Sequence, residues 1–329
     1  MNDGADFGPS IETLTPVVEP ATLSPEMQWE RRQKRWQRRS LAIAILLFLL
    51  TLVSTLVVGA GYANSYAAGE SPDLDGFFAM YGTLLAHPQF LVTGIPFAFT
   101  LLGILLAHEL GHFFACRYYG ISASYPYFIP APTLIGTMGA FIRIRSPIYN
   151  RKALFDVGIA GPVVGFLFAI PALAIAIASS KVLPLSHAQP SVVFGNPLAM
   201  RILMFLLKPG VPPGQLLLHP VGRAAWVGLF ATALNLLPGG QLDGGHILYA
   251  AASKYHRRVT LAVALLLVPL GYMFWAGWYL WAALLLGLGF RHPPLLYQWE
   301  KLDRTRLIWA AVAILIFVLT FMPMPVLIR

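Results

Sequence analysis

Long apolar runs limit what this chain can fold into. Residues 41–60, 90–107, 153–178, 224–237, 259–290 and 307–321 carry one charged side chain between them, Asp156. The hydrocarbon core of a bilayer is about 30 Å thick and takes about 20 apolar residues of helix to cross. Backbone polar groups in lipid must be satisfied within the protein, which favours helices for runs of this kind. Composition agrees: 57% of the 329 residues are hydrophobic and 11% are charged, against about 25% charged in soluble domains. The expected fold class is an all-α polytopic membrane protein with about six to eight transmembrane or re-entrant helices.

The charges that remain give the expected sidedness. Net charge is +9, and Arg31, Arg32, Lys34, Arg35, Arg38 and Arg39 directly precede the first run. Lys and Arg collect on cytoplasmic flanks, so these positives are read as a topology signal, with no nucleic-acid partner. Residues 1–39 are expected to be a disordered cytoplasmic tail, and 40–329 a multi-spanning domain with its core at about 90–250 and C-terminal helices at 259–323. The first run lies behind a long polar stretch, so a retained helix is expected, not a signal peptide. Residues 62–88, with Glu70, Asp73 and Asp75, fall outside; Arg117, Arg151, Lys152, Lys254, Arg257 and Arg258 mark the inside. The 259–290 run would be about 48 Å long as one helix, so a tight hairpin broken near Pro269-Leu270-Gly271 is expected. Pro126, Pro130 and Pro132 break any helix over 121–150, and a small membrane-associated strand or hairpin is expected near 136–146. The single cysteine, Cys116, excludes an internal disulfide and is read as a packing residue.

Chemistry concentrates where the second run ends. His108-Glu109-Leu110-Gly111-His112 follows the apolar stretch without a break, with Gly120 as the expected helix stop. Residues four apart share a helix face, so both imidazoles can reach one metal, with Glu109 placed as a general base. Ionisable groups at membrane depth are costly and mark function by default. A catalytic zinc needs a third protein ligand and one open position. His87, His187 and His219 fall on the outer side, and His256, among basic residues, is expected to face solvent at the interface. Asp156 sits in the first turn of a helix, where the macrodipole stabilises a carboxylate. Asp243 follows Pro238-Gly239-Gly240 and precedes Gly244-Gly245, a backbone able to turn inward and aim a carboxylate at the metal; His246 is the alternative. Asn235, two turns earlier, is read as a donor to substrate backbone or to an oxyanion, against a helix-capping role.

Together, His108-Glu-Leu-Gly-His112 and Asn235-Leu-Leu-Pro-Gly-Gly-Gln-Leu-Asp243-Gly-Gly resemble the site-2 protease family of intramembrane zinc metalloproteases. The likeness runs from about 90 to 250 and takes in the Gly-rich stretch at 136–145 and the Ala-Gly-Pro at 160–162. It implies one zinc per chain on His108, His112 and Asp243, Glu109 as general base, and a substrate that is itself a membrane-spanning segment. Residues 181–222 are too few for the peptide-binding PDZ domain of many relatives, which points to the PDZ-free branch.

The expected function is hydrolysis of a peptide bond within or near a transmembrane segment of a membrane protein, with Gly139, Ala140 and Phe141 pairing to the unwound substrate by strand addition. The expected location is a bacterial plasma membrane, with the N-terminus and active site toward the cytoplasm. A membrane metalloprotease acting on tails at the membrane face would use the same residues. A non-catalytic metal-binding membrane protein or transporter is the alternative from another class.

Overall fold

The computed structural model describes residues 25–70, 82–83, 86–183, 192–287, 295, 297 and 300–328. By internal contacts the chain divides into Met1–Arg39 and Ser40–Arg329, and the candidate site residues belong to the second unit. The described part is mostly helical: α1 (Pro25–Ala68), α2 (Ile95–Tyr118), α3 (Arg151–Ser179), α4 (Leu198–Leu207), α5 (Pro220–Asn235), α6 (Asp243–Met273), α7 (Gly277–Gly287) and α8 (Arg304–Thr320). Three two-stranded antiparallel sheets accompany them: β1 (Tyr127–Pro130) with β2 (Thr137–Phe141), β3 (Lys181–Val182) with β5 (Leu216–Leu217), and β4 (Val192–Phe194) with β6 (Val326–Ile328).

Among the described residues, three helical stretches are long and apolar enough to cross a membrane: Arg35–Ala68, Pro88–Tyr118 and Arg151–Ser179. Their outward faces suit lipid. Leu49 and Val53 on α1, Phe99 on α2, and Leu167, Phe168 and Ile175 on α3 are about half or more exposed although wholly apolar. The core behind them is also apolar, with Phe97, Leu101, Leu173, Ile177 and Leu229 at or near zero exposure. Helices α2 and α3 make the most extensive contact, and α5 packs against both.

Local chemistry explains the helix ends. Asn150 accepts a hydrogen bond from the Ala153 N–H at 2.8 Å at the start of α3, and Asp303 accepts one from the Arg306 N–H at 2.9 Å at the start of α8. Helix α2 stops at Gly120, whose φ of +66° lies in the left-handed region that glycine tolerates.

Several expectations need correction. Residues 25–39, assigned to a disordered tail, belong to α1; Gln28, Arg32 and their neighbours are good helix formers. Residues 1–24 lie outside the described part, as do Asp73, Asp75 and His187. The 259–290 hairpin exists, but its break is at Phe274-Trp275-Ala276; Pro269 lies inside α6. Proline removes a single donor, and membrane helices absorb that locally, so Pro269 was a poor guide to the turn. The strand expected near 136–146 is shorter than that range: β2 covers Thr137–Phe141 and forms its hairpin with β1.

Asp156 does more than sit near a helix start. It pairs with Arg306 of α8, whose Nε donates to Oδ1 at 2.9 Å, and it accepts a hydrogen bond from the Tyr119 hydroxyl. Arg306 Nη2 also donates to the Tyr119 oxygen at 3.0 Å. Burial, then the neighbouring Asp156 carboxylate, push the Tyr119 phenol up to about 12, so it stays a donor. The cluster ties together the end of α2 and the starts of α3 and α8. The sequence held one clue to it: Asp156 is the one carboxylate within the apolar runs and needs a partner.

Candidate active site

Helix α2 places His108, Glu109 and His112 within one turn, all buried at 5–8% exposure. The two imidazoles stand edge to face, with ring centres 4.9 Å apart and planes at 69°. Their Nε2 atoms are 3.1 Å apart. Asp243 Oδ2, from the first residue of α6, lies 3.3 Å from each.

The tautomer of one ring follows from its surroundings. His112 Nδ1 lies 2.7 Å from the Val157 carbonyl oxygen on α3. A carbonyl only accepts, so Nδ1 carries the proton and Nε2 offers a lone pair. His108 Nε2 is faced by the Asn235 amide nitrogen at 3.3 Å, an arrangement that makes it an acceptor too. Asp243 Oδ2 is fully buried and makes no hydrogen bond of proper geometry. Three acceptor atoms thus converge on one point, which is unfavourable unless a cation sits among them. Tetrahedral zinc with ligands at about 2.0–2.1 Å holds them about 3.3 Å apart, and the three separations are 3.1, 3.3 and 3.3 Å. The donor set fits zinc, and the Val157 carbonyl orients the His112 ring from behind.

The surroundings leave room for this cluster. A Cβ on Gly161 of α3 would run into the His112 ring, and one on Gly165 would meet His108 Nδ1 at 3.0 Å. A cavity of about 200 Å³ opens beside the cluster. Glu109 lines it, as do Ala140, Phe141 and Ile142 at the end of β2, and Gln241 and His246 from the other side. The Ile142 backbone lies against the Glu109 carboxylate.

The candidate residues therefore separate clearly. His108, His112 and Asp243 come together, Glu109 and Asn235 border them, and Ala140 and Phe141 wall the cavity. Gly139 lies in β2 with φ +102° and is not among the cavity-lining residues. His246 lines the cavity, but its place on α6 is one turn past Asp243. Cys116 is buried in an apolar cluster with Ile121, Ala153 and Val157, as a packing residue should be. His256 is a correction: it is 2% exposed, not at a solvent-facing interface. Its Nε2 donates to the Gly240 carbonyl at 3.0 Å. Sequence reading placed it by its basic neighbours, but one helix face can be buried while the next is wet.

Comparison with known proteins agrees with this geometry. The family model for peptidase family M50 matches residues 96–276, more than half of the chain. The protein named probable zinc metalloprotease EGY1, chloroplastic, from Arabidopsis thaliana is 32% identical over 229 residues, covering 64% of this chain and 40% of that protein. Its namesake from Oryza sativa subsp. japonica is 31% identical over 230 residues, 64% of this chain and 38% of that protein. Probable zinc metalloprotease EGY2, chloroplastic, from Oryza sativa subsp. indica is 33% identical over 186 residues, 54% of this chain and 33% of that protein. The matched part is thus well under half the length of these curated relatives. No solved structure matches the chain. With both motifs inside the matched segment and their side chains gathered at one point, the chain belongs to peptidase family M50, the site-2 protease family.

Proposed function

We propose that the chain is an intramembrane zinc metalloprotease that hydrolyses a peptide bond within or near a transmembrane segment of another membrane protein. The observation that carries this reading is the convergence of His108 Nε2, His112 Nε2 and Asp243 Oδ2 at zinc-like spacing, with Glu109 beside them in a cavity. Names of the curated relatives support zinc and proteolysis.

His108, His112 and Asp243 would hold the zinc. When bound, it supplies Lewis acidity toward water and a peptide carbonyl. Glu109 takes the proton of the attacking water and hands it to the leaving nitrogen. Asn235, whose amide already points at the cluster, donates to the developing oxyanion. A helical substrate hides its carbonyls, so it must unwind, and its freed backbone needs partners in lipid. Gly139, Ala140 and Phe141 supply them by strand addition: among the described strands β2 pairs only with β1, and its end lines the cavity.

The full architecture is six to eight spanning or re-entrant helices, with α5 to α8 completing the bundle around the three long ones. Arg117, Arg151 and Lys152 flank the helix ends nearest the cluster, so the site opens to the basic side. That is the cytoplasmic face in a bacterial plasma membrane; the relatives' names place those proteins in the chloroplast.

The test is cleavage of a model single-span protein by the purified chain and by Glu109→Gln, with zinc measured in both. Cleavage inside the span by the wild type alone, at equal zinc, is the expected result. Equal cleavage by both would remove Glu109 from the chemistry, and zinc without cleavage in either would favour a non-catalytic metal protein.

A further inference from the structure

Helix α6 starts at Asp243 and contains one non-helical residue, Ala252, with φ −147° and ψ 58°. Were the helix straight, residue 256 would stand about 20 Å from Asp243 at 1.5 Å per residue. Yet His256 Nε2 lies 3.0 Å from the carbonyl oxygen of Gly240, three residues before Asp243. The chain therefore folds back at Ala252, and α6 is two helices meeting at a bend. At that bend Arg151 Nη2 of α3 donates to Ser253 Oγ at 2.9 Å.

His256 fills the angle between the two halves. It is 2% exposed, and its ring meets Tyr249 of the first half edge-on, with centres 5.4 Å apart. Thr260, one turn further, accepts the Gly240 N–H at 3.2 Å and donates its own proton to the His256 carbonyl at 2.9 Å. One face of the second half thus holds both backbone groups of Gly240. Gly240 has φ +64°, so it forms the left-handed corner of the turn that leads into Asp243.

We propose that His256, supported by Thr260, is a positioning residue for Asp243. By fixing the Pro238–Gly240 turn it sets where α6 begins, and so where the carboxylate meets the two imidazoles. This rests on the zinc-site reading above. Groups that orient metal ligands from behind typically contribute 10- to 100-fold in metal affinity. His256 acts one step further back, through the backbone.

The experiment measures zinc affinity by chelator competition on the full chain in detergent, with kcat for the same samples. His256→Ala should bind zinc about tenfold or more weakly and lose kcat with it. His256→Gln, which keeps an N–H donor at the position of Nε2, should recover most of the affinity. A change that merely loosened packing would not be rescued by a donor. Thr260→Val, a smaller change, should give a measurable intermediate loss and stands in if His256→Ala does not fold. Wild-type affinity in both His256→Ala and Thr260→Val, with Asp243→Asn weakened as the zinc site requires, would overturn the positioning role alone. Wild-type affinity in Asp243→Asn would overturn the zinc-site reading and this role together.

Discussion

Gly161 of α3 leaves the space that the His112 imidazole fills: a Cβ at position 161 would come within 2.1 Å of its Nε2. Close contact between α2 and α3 is thus more than helix packing. The small residue lets the His112 ring point between two helices while Val157, one turn earlier on α3, accepts its Nδ1 proton at 2.7 Å. Gly161→Ala should displace His112 and cost about 1–3 kcal/mol in stability through overpacking. Zinc content should fall in parallel. Thermal unfolding and metal analysis of the purified variant test this, and a variant with full zinc would show that the ring can move aside freely.

Strand β2 is shaped by Gly139, whose φ of +102° lies where an L side chain is strained. Its N–H donates to Thr137 Oγ1 at 3.0 Å, which helps hold the bend. Gly139→Ala should strain or reshape the strand at a cost on the order of 1 kcal/mol or more. If β2 receives the substrate, cleavage of a single-span protein should slow several-fold while zinc content stays at the wild-type level. Unchanged cleavage would remove β2 from substrate binding.

Arg306 forks onto Asp156 and also reaches Tyr119, linking three helices far apart in sequence. Arg306→Lys keeps the charge but loses the planar fork. It should destabilise the fold by about 1–3 kcal/mol, the usual range for lost hydrogen bonds to a charged group. Arg306→Ala should destabilise it further, because Asp156 and Tyr119 then lose a shared partner. The unfolding midpoint in detergent reads both variants, and equal midpoints for Arg306→Lys and the wild type would show that charge alone suffices.

Asp303 caps α8. The Arg306 backbone N–H, then the Arg306 guanidinium, hold its carboxyl below the ordinary carboxylate range. A carboxylate depressed in the folded state contributes stability above its unfolded pKa of about 4. That contribution is lost as pH falls through the folded value. Asn also caps helices, so Asp303→Asn should change little at neutral pH and should flatten the stability profile below about pH 4. Parallel profiles for the two proteins across that window would show that Asp303 does not report on α8.

Much of the site could be read from the residues themselves. His108, Glu109 and His112 were legible because helical periodicity alone puts positions four apart on one face. Asp243 was legible because Pro238-Gly239-Gly240 breaks one helix and Gly244-Gly245 lets another approach closely. The long apolar runs likewise determined where helices had to form, since lipid leaves the backbone few other choices. Tertiary structure decided everything that depended on contacts between distant segments. It buried His256 among exposed basic neighbours, because a non-helical Ala252 turns one half of α6 back on the other. It found partners for Asp156 in Arg306 and Tyr119, which lie 150 and 37 residues away. It also brought the end of β2 to the Glu109 cavity. Periodicity and turn chemistry act over a few residues and are written in the sequence, whereas side-chain pairing across helices depends on where each helix bends and which face it buries.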